Sequence, residues 1–107
     1  MAGVNAAPAI QELKRRLQFR FGQRFSRLVV YGSVARGDTT DQSDVDTLLV
    51  LRQSGDLAAD WSAALHDVAE VCLEYDTLIS LLVTTEVDFE TRQTPLFINV
   101  RREGVAA

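Results

Sequence analysis

The sequence predicts an α/β layer around a small mixed sheet, and three observations carry that expectation. Three short runs, Arg27 to Tyr31, Val45 to Leu51 and Asp76 to Val83, are almost continuously apolar. That is the pattern of strands covered on both faces. Around them lie stretches whose apolar residues recur at helical spacing. Cap and turn residues mark the boundaries, so the order reads helix, strand, strand, helix, strand, helix, helix.

Residues 1–7 are small and unpatterned and are expected to be disordered. Pro8 suits the start of the first helix. Ile10, Leu13, Leu17 and Phe21 then fall on one stripe, and Gly22 ends the helix. Phe19 lies on the opposite face and is expected to fold over the helix end against Phe25; the alternative is an exposed anchor for a partner. After the second strand, Ser54-Gly55-Asp56 breaks the pattern and can cap a helix running to about Glu74. Leu57, Trp61, Ala64, Leu65, Val68, Val71 and Cys72 share its buried stripe. His66 falls on the polar side with Glu70 and is read as solvated. Thr84-Thr85-Glu86 forms a turn and cap leading into a short helix, Val87 to Thr91. Thr94 caps the last helix, with Pro95 at its first position and Gly104 just past its end.

The 107 residues make one domain, 1–107, with one modest core. No apolar stretch approaches a membrane span, and the N-terminus lacks the apolar core of a signal peptide, so the expected location is cytoplasmic. A single cysteine, Cys72, excludes an internal disulfide and a cysteine-based zinc site. The single histidine argues against a histidine triad. Net charge is −4, unevenly spread. Glu12 to Arg27 holds six basic residues against one acidic, whereas Asp38 to Glu90 holds thirteen acidic residues against Arg52 alone. That acidic body disfavours duplex nucleic acid as a partner. The basic stretch suits a phosphate tail or an acidic partner, or is simply a solvated helix face.

The chemistry concentrates between Tyr31 and Leu51. Asp44 and Asp46 alternate with Val45, so on a strand both carboxylates point to one face, roughly 6–7 Å apart along the chain. Two carboxylates so placed raise each other's pKa or demand a counter-ion. A hard divalent cation, magnesium with a nucleoside triphosphate, answers that demand. At the end of the preceding strand, Gly32 lets backbone approach a ligand closely. Ser33 offers a hydroxyl and an N–H to an anion, Arg36 is a planar cation suited to phosphate oxygens, and Gly37-Asp38 reads as a turn.

This stretch resembles the minimal nucleotidyltransferase (MNT) domains of the DNA polymerase β-like nucleotidyltransferase superfamily. Their pattern is Gly-Ser, ten residues, Asp-x-Asp; here Gly32-Ser33, Val34 to Ser43, then Asp44-Val45-Asp46. The wording Gly-Ser-Val-Ala-Arg-Gly and Ser-Asp-Val-Asp, and the tail from Thr94 to Gly104, are also similar. The resemblance implies the nucleotidyltransferase fold. It implies nucleotide contacts from Gly32, Ser33, Arg36 and Ser43. Two magnesium ions would be held by Asp44, Asp46 and a third carboxylate, best matched by Asp76 at the start of the third strand. Were Asp76 only a strand-entry turn residue, Ser80, in phase with it, would hold the third position and the site would be weaker.

The resemblance further implies AMP transfer from ATP to a hydroxyl of a partner protein, as in MNT antitoxins that modify a tyrosine of a HEPN toxin. Two alternatives stay open. One is a non-catalytic antitoxin or nucleotide-binding module acting by steric masking. The other is a small-molecule nucleotidyltransferase subunit of the aminoglycoside type, which would need an acceptor-binding domain from elsewhere. Candidate partner contacts are the basic first helix with Phe19 and the Arg101-Arg102 segment. Homo-oligomerisation is left open.

Overall fold

Stripe and cap residues decide where the helices sit. The computed structural model describes residues 2–32 and 44–107. Helix α1 spans Ala2–Phe21, with Ile10, Leu13, Leu17 and Phe21 all buried. It begins before Pro8, so residues 2–7, expected to be without regular structure, lie within the helix. Pro8 removes only one hydrogen bond of the helix, while Ala6 and Ala9 on either side of it pack into the core. Gly22, at φ +56°, releases the chain into a single 3₁₀ turn, Gly22–Arg24. Strand β1 follows at Phe25–Tyr31, two residues longer than its apolar run suggested, and β2 at Val45–Leu51.

Helix α2, Leu57–Tyr75, starts where Asp56 accepts a hydrogen bond from the Ala59 N–H at 3.1 Å. It ends at Asp76, whose φ of +50° is the left-handed cap conformation. This moves the third strand: β3 runs Ile79–Thr85, not Asp76 to Val83. Thr85 then caps α3, Glu86–Thr91, by accepting from the Asp88 N–H. Thr94 caps α4, Pro95–Glu103, in the same way through Phe97. After Gly104 a short β4, Val105–Ala106, was not foreseen.

The strand order is β3-β2-β1-β4. β1 is antiparallel to β2 and to β4, whereas β2 and β3 are parallel, joined by the α2 crossover. The mixed sheet flanked by helices is therefore as expected, and both faces are covered. Leu28, Val30, Val45, Leu49, Leu51, Ile79, Leu81 and Val83 pack with α1 and α2. Val29, Leu48 and Val50 pack on the other face with Phe89 of α3 and Val100 of α4.

The basic stretch of the sequence meets the acidic one inside the molecule. Arg16 pairs with Glu70 and Glu74, Arg20 with Asp67 at 2.6 Å, and Arg24 with Asp60 at 2.7 Å. These pairs tie α1 and the 3₁₀ turn to one side of α2. Trp61 packs against the core and its indole N–H donates to the Leu81 carbonyl at 3.0 Å. Cys72 is partly buried, its Sγ accepting from the Ile79 N–H, and His66 is exposed. Two side-chain expectations fail. Leu65 is half-exposed rather than buried, and Phe19 stands 90% exposed instead of folding onto Phe25. Phe21 and Phe25 are the aromatic residues of α1 and β1 that enter the core.

Candidate active site

The site lies where β1 ends and β2 begins. Antiparallel pairing sets Val30 opposite Thr47 and Tyr31 opposite Asp46, so the last residue of β1 flanks the second carboxylate. Gly32 follows at φ +76°, a conformation natural to glycine. A Cβ on Gly32 would lie 2.6 Å from Asp46 Oδ2, so the Asp46 carboxylate occupies the space that the missing side chain leaves.

Two hydrogen bonds hold β3 beside this point. The Val45 N–H donates to the Leu78 carbonyl at 2.9 Å, and Thr47 Oγ1 donates to the Ser80 carbonyl at 2.9 Å. They bracket Asp46, whose register partner on β3 is Ser80. Paired residues on adjacent strands put their side chains on one face. Tyr31, Asp46 and Ser80 therefore form a row across three strands, on the face that continues into Leu48 and Val50.

Asp44, just before β2, is exposed, while Asp46 is half-buried. Burial raises the Asp46 carboxyl above the usual aspartate range, and the negative charge of Asp44 adds to the effect. Burial, and then Asp46, raise the Tyr31 phenol likewise, so it stays neutral. A carboxylate pair under this strain is relieved by a cation. The described carboxylate donors are hard oxygens at one end of the sheet. They fit magnesium, which keeps several waters and takes one or two carboxylates plus phosphate oxygens.

Gly32 and Asp46 are thus brought together, and Asp44 is near enough for its charge to act on Asp46. Ser33, Arg36 and Ser43, with the Gly37-Asp38 turn, lie outside the described residues. Asp76 is exposed at the helix cap, its N–H bonded to the Cys72 carbonyl, and is not on β3. Among the described residues no group of three His, Cys, Asp or Glu side chains is placed to hold a metal ion. The phase argument that linked Asp76 to Ser80 fails, because the chain between them is not extended from Asp76. The residue missed from the sequence is Tyr31. Its position next to Gly32 was visible, but its placement beside Asp46 depends on strand register.

Residues 10–96 match the family model described as nucleotidyltransferase domain. The chain is 32% identical over 102 residues to "Putative protein adenylyltransferase MJ0604" of Methanocaldococcus jannaschii, covering 94% of this chain and 96% of that one. Its fold is similar to that of a "putative nucleotidyltransferase from Sulfolobus solfataricus", with TM-score 0.61, 17% identity, and coverage of 98% and 81% of the two chains. It is also similar to a crystal structure of "the toxin-antitoxin with AMP-PNP", with TM-score 0.61, 17% identity, and coverage of 88% and 68%. The family match runs through both strands that carry the Gly32–Asp46 contact, and the chain belongs to the nucleotidyltransferase domain family.

Proposed function

We propose that this nucleotidyltransferase transfers AMP from ATP to a hydroxyl of a partner protein, and that the partner is the HEPN-type toxin of a toxin–antitoxin pair, modified on a tyrosine. The observation that carries the reading is the Asp46 carboxylate set against Gly32 where β1 ends and β2 begins, with the charge of Asp44 acting on it. The similarity to a protein named as an adenylyltransferase, over nearly the full length of both chains, supports the protein acceptor. The toxin–antitoxin neighbour, with its ATP analogue, supports the nucleotide and the kind of partner.

In this reading the acceptor oxygen attacks the α-phosphorus, a new P–O bond forms, and the bond to the β-phosphate oxygen breaks to release pyrophosphate. The acceptor proton passes to a carboxylate of the pair or to solvent. Magnesium, when bound, neutralises charge on the attacking and leaving oxygens. Asp44 and Asp46 hold it, Gly32 admits the triphosphate, and Ser33, Arg36 and Ser43 contact the phosphates. The acceptor must be held beside the α-phosphorus, because catalysis by positioning fails with free diffusion. A docked protein supplies that positioning. Asp76, at a helix cap, has a weaker claim to the third-carboxylate role; unchanged transfer by Asp76→Asn removes it.

The test is to incubate the chain, ATP and magnesium with the product of the adjacent gene and to weigh that product intact. Addition of AMP units, lost with Asp46→Asn, is the expected result. A second reading, antitoxin action by masking alone, is favoured by Ser80, a neutral residue, standing beside Asp46 on β3. No mass increase, with full neutralisation of the partner by an Asp44→Asn, Asp46→Asn double variant, selects it.

A further inference from the structure

We propose that the outward face of α2 is a docking surface for the protein acceptor, and that it takes an amphipathic helix with an apolar stripe and a basic flank. This rests on the reading of the chain as a transferase that modifies a protein. A helix at a protein surface ordinarily turns charged residues to solvent on the side opposite the core. α2 does not. Its four acidic residues, Asp60, Asp67, Glu70 and Glu74, all pair with Arg24, Arg20 and Arg16 on the α1 side. The other flank is fastened to the sheet edge: the Trp61 indole donates to the Leu81 carbonyl, and Cys72 Sγ accepts from the Ile79 N–H. Between these flanks Ala58, Ser62, Leu65, His66, Ala69 and Leu73 share one face, all exposed, with no carboxylate, lysine or arginine among them. Leu73 is 85% exposed and Leu65 46%. An open cavity of about 290 Å³ lies on this face, lined by Ser62, Leu65, His66 and Ala69.

Spacing and charge select the occupant. Ala58, Ser62, Leu65, Ala69 and Leu73 recur every three or four residues, the spacing of a ridge that packs against another helix. Trp61 and Cys72 cover backbone groups of β3, the edge strand, which favours helix packing over strand addition. The charges bordering the face are acidic. The side chains of Glu70 and Glu74 stay 66% and 52% exposed despite their pairing with Arg16, and Asp76 is exposed at the C-terminal end. A basic flank on the incoming helix complements them. A second copy of this chain does not, since it would bring its own Glu70 and Glu74 to the contact. The face also ends in a useful place. α2 runs back to the start of β3, where the carbonyl of the exposed Leu78 accepts the N–H of Val45, the residue between Asp44 and Asp46. A helix lying on α2 therefore brings its protein to the carboxylates, the positioning that transfer needs.

The experiment titrates the product of the adjacent gene into the full chain by calorimetry, without nucleotide. Leu65→Asp and Leu73→Asp are each expected to weaken binding by at least about tenfold, and Phe19→Ala, exposed but outside this face, to change it by less than about twofold. Binding by the parent should weaken with added salt. Leu73→Ser, with circular dichroism on every variant, provides an uncharged substitution should the aspartate perturb the helix. Parent-like affinity in the Leu65 and Leu73 variants overturns the proposal, as does the absence of binding by the parent. A parent dimer in sedimentation that Leu73→Asp dissociates assigns the face to a second copy and overturns it too. If binding is lost in the leucine variants and kept in the Asp44→Asn, Asp46→Asn double variant, yet no chain transfers AMP, the docking inference stands and the transferase reading fails. If the parent and the leucine variants transfer AMP to that product equally well, the transferase reading stands and the docking inference fails.

Discussion

Gly32 and Asp46 are in contact through the position where any other residue would carry a Cβ, which would lie 2.6 Å from the Asp46 carboxylate oxygen. The contact joins the end of β1 to the start of β2 at the point where chemistry is expected. Gly32→Ala should therefore act twice. The positive φ costs about 1–3 kcal/mol for a residue with a side chain, and the added methyl displaces the carboxylate. Urea unfolding should show the loss of stability, and nucleotide binding should weaken with it. A variant with parent-like stability would mean that the loop relaxes freely.

Asp46→Asn should separate chemistry from folding. Its carboxyl is raised by burial and by Asp44, so the folded chain binds that proton more tightly than the unfolded chain does. Stability from this group is present below the ordinary aspartate range and is lost as pH rises through the raised value. The asparagine variant lacks that loss, so near neutrality it should be as stable as the parent or more so. Transfer should fall by at least about a hundredfold. Thermal unfolding from acid to neutral pH, with a transfer assay, reads both effects.

Asp60 has the opposite sign. The hydrogen bond from Arg24 holds its carboxyl below the usual range, and Ser54 contributes. Its stabilisation is present above the ordinary aspartate value and is lost as pH falls through the lowered one. The pair is partly exposed and screened, so Asp60→Asn should cost only about 1 kcal/mol near neutrality. The difference from the parent should shrink in acid and in high salt. A difference that is independent of pH would assign the cost to packing instead.

Gly104→Ala should loosen β4. A Cβ there would lie 2.5 Å from both the Val100 carbonyl and Val29 Cγ1. The strand it leads into is held by pairing with Val29 and Val30 and by the bond from the Ala107 N–H to the Leu28 carbonyl. Overpacking at this corner should cost about 1–3 kcal/mol. Hydrogen exchange at Ala107 should rise well before exchange in β2.

Much of the fold was legible because its signals are local. Asp56, Thr85 and Thr94 each accept the backbone N–H that a cap residue should. The α1 stripe is buried throughout. The boundaries that moved did so for reasons beyond local pattern. Ala6 and Ala9 carry α1 through Pro8 because the core covers them. Asp76 leaves the third strand because α2 continues one residue past Glu74 and needs a left-handed cap.

The sequence by itself determined the chemistry available. Gly32, Asp44 and Asp46 are set by spacing within one strand–loop–strand unit, and alternation gives the expectation that both carboxylates share one face. Only the tertiary structure decided what surrounds them. Strand register, fixed by hydrogen bonds between residues more than thirty positions apart, put Ser80 rather than Asp76 beside Asp46. The packing of α1 on α2 turned the basic stretch into ion pairs with Asp60, Asp67, Glu70 and Glu74. Periodicity says which face a residue occupies, but not what lies across from it, because that depends on how distant segments pack and not on either segment alone.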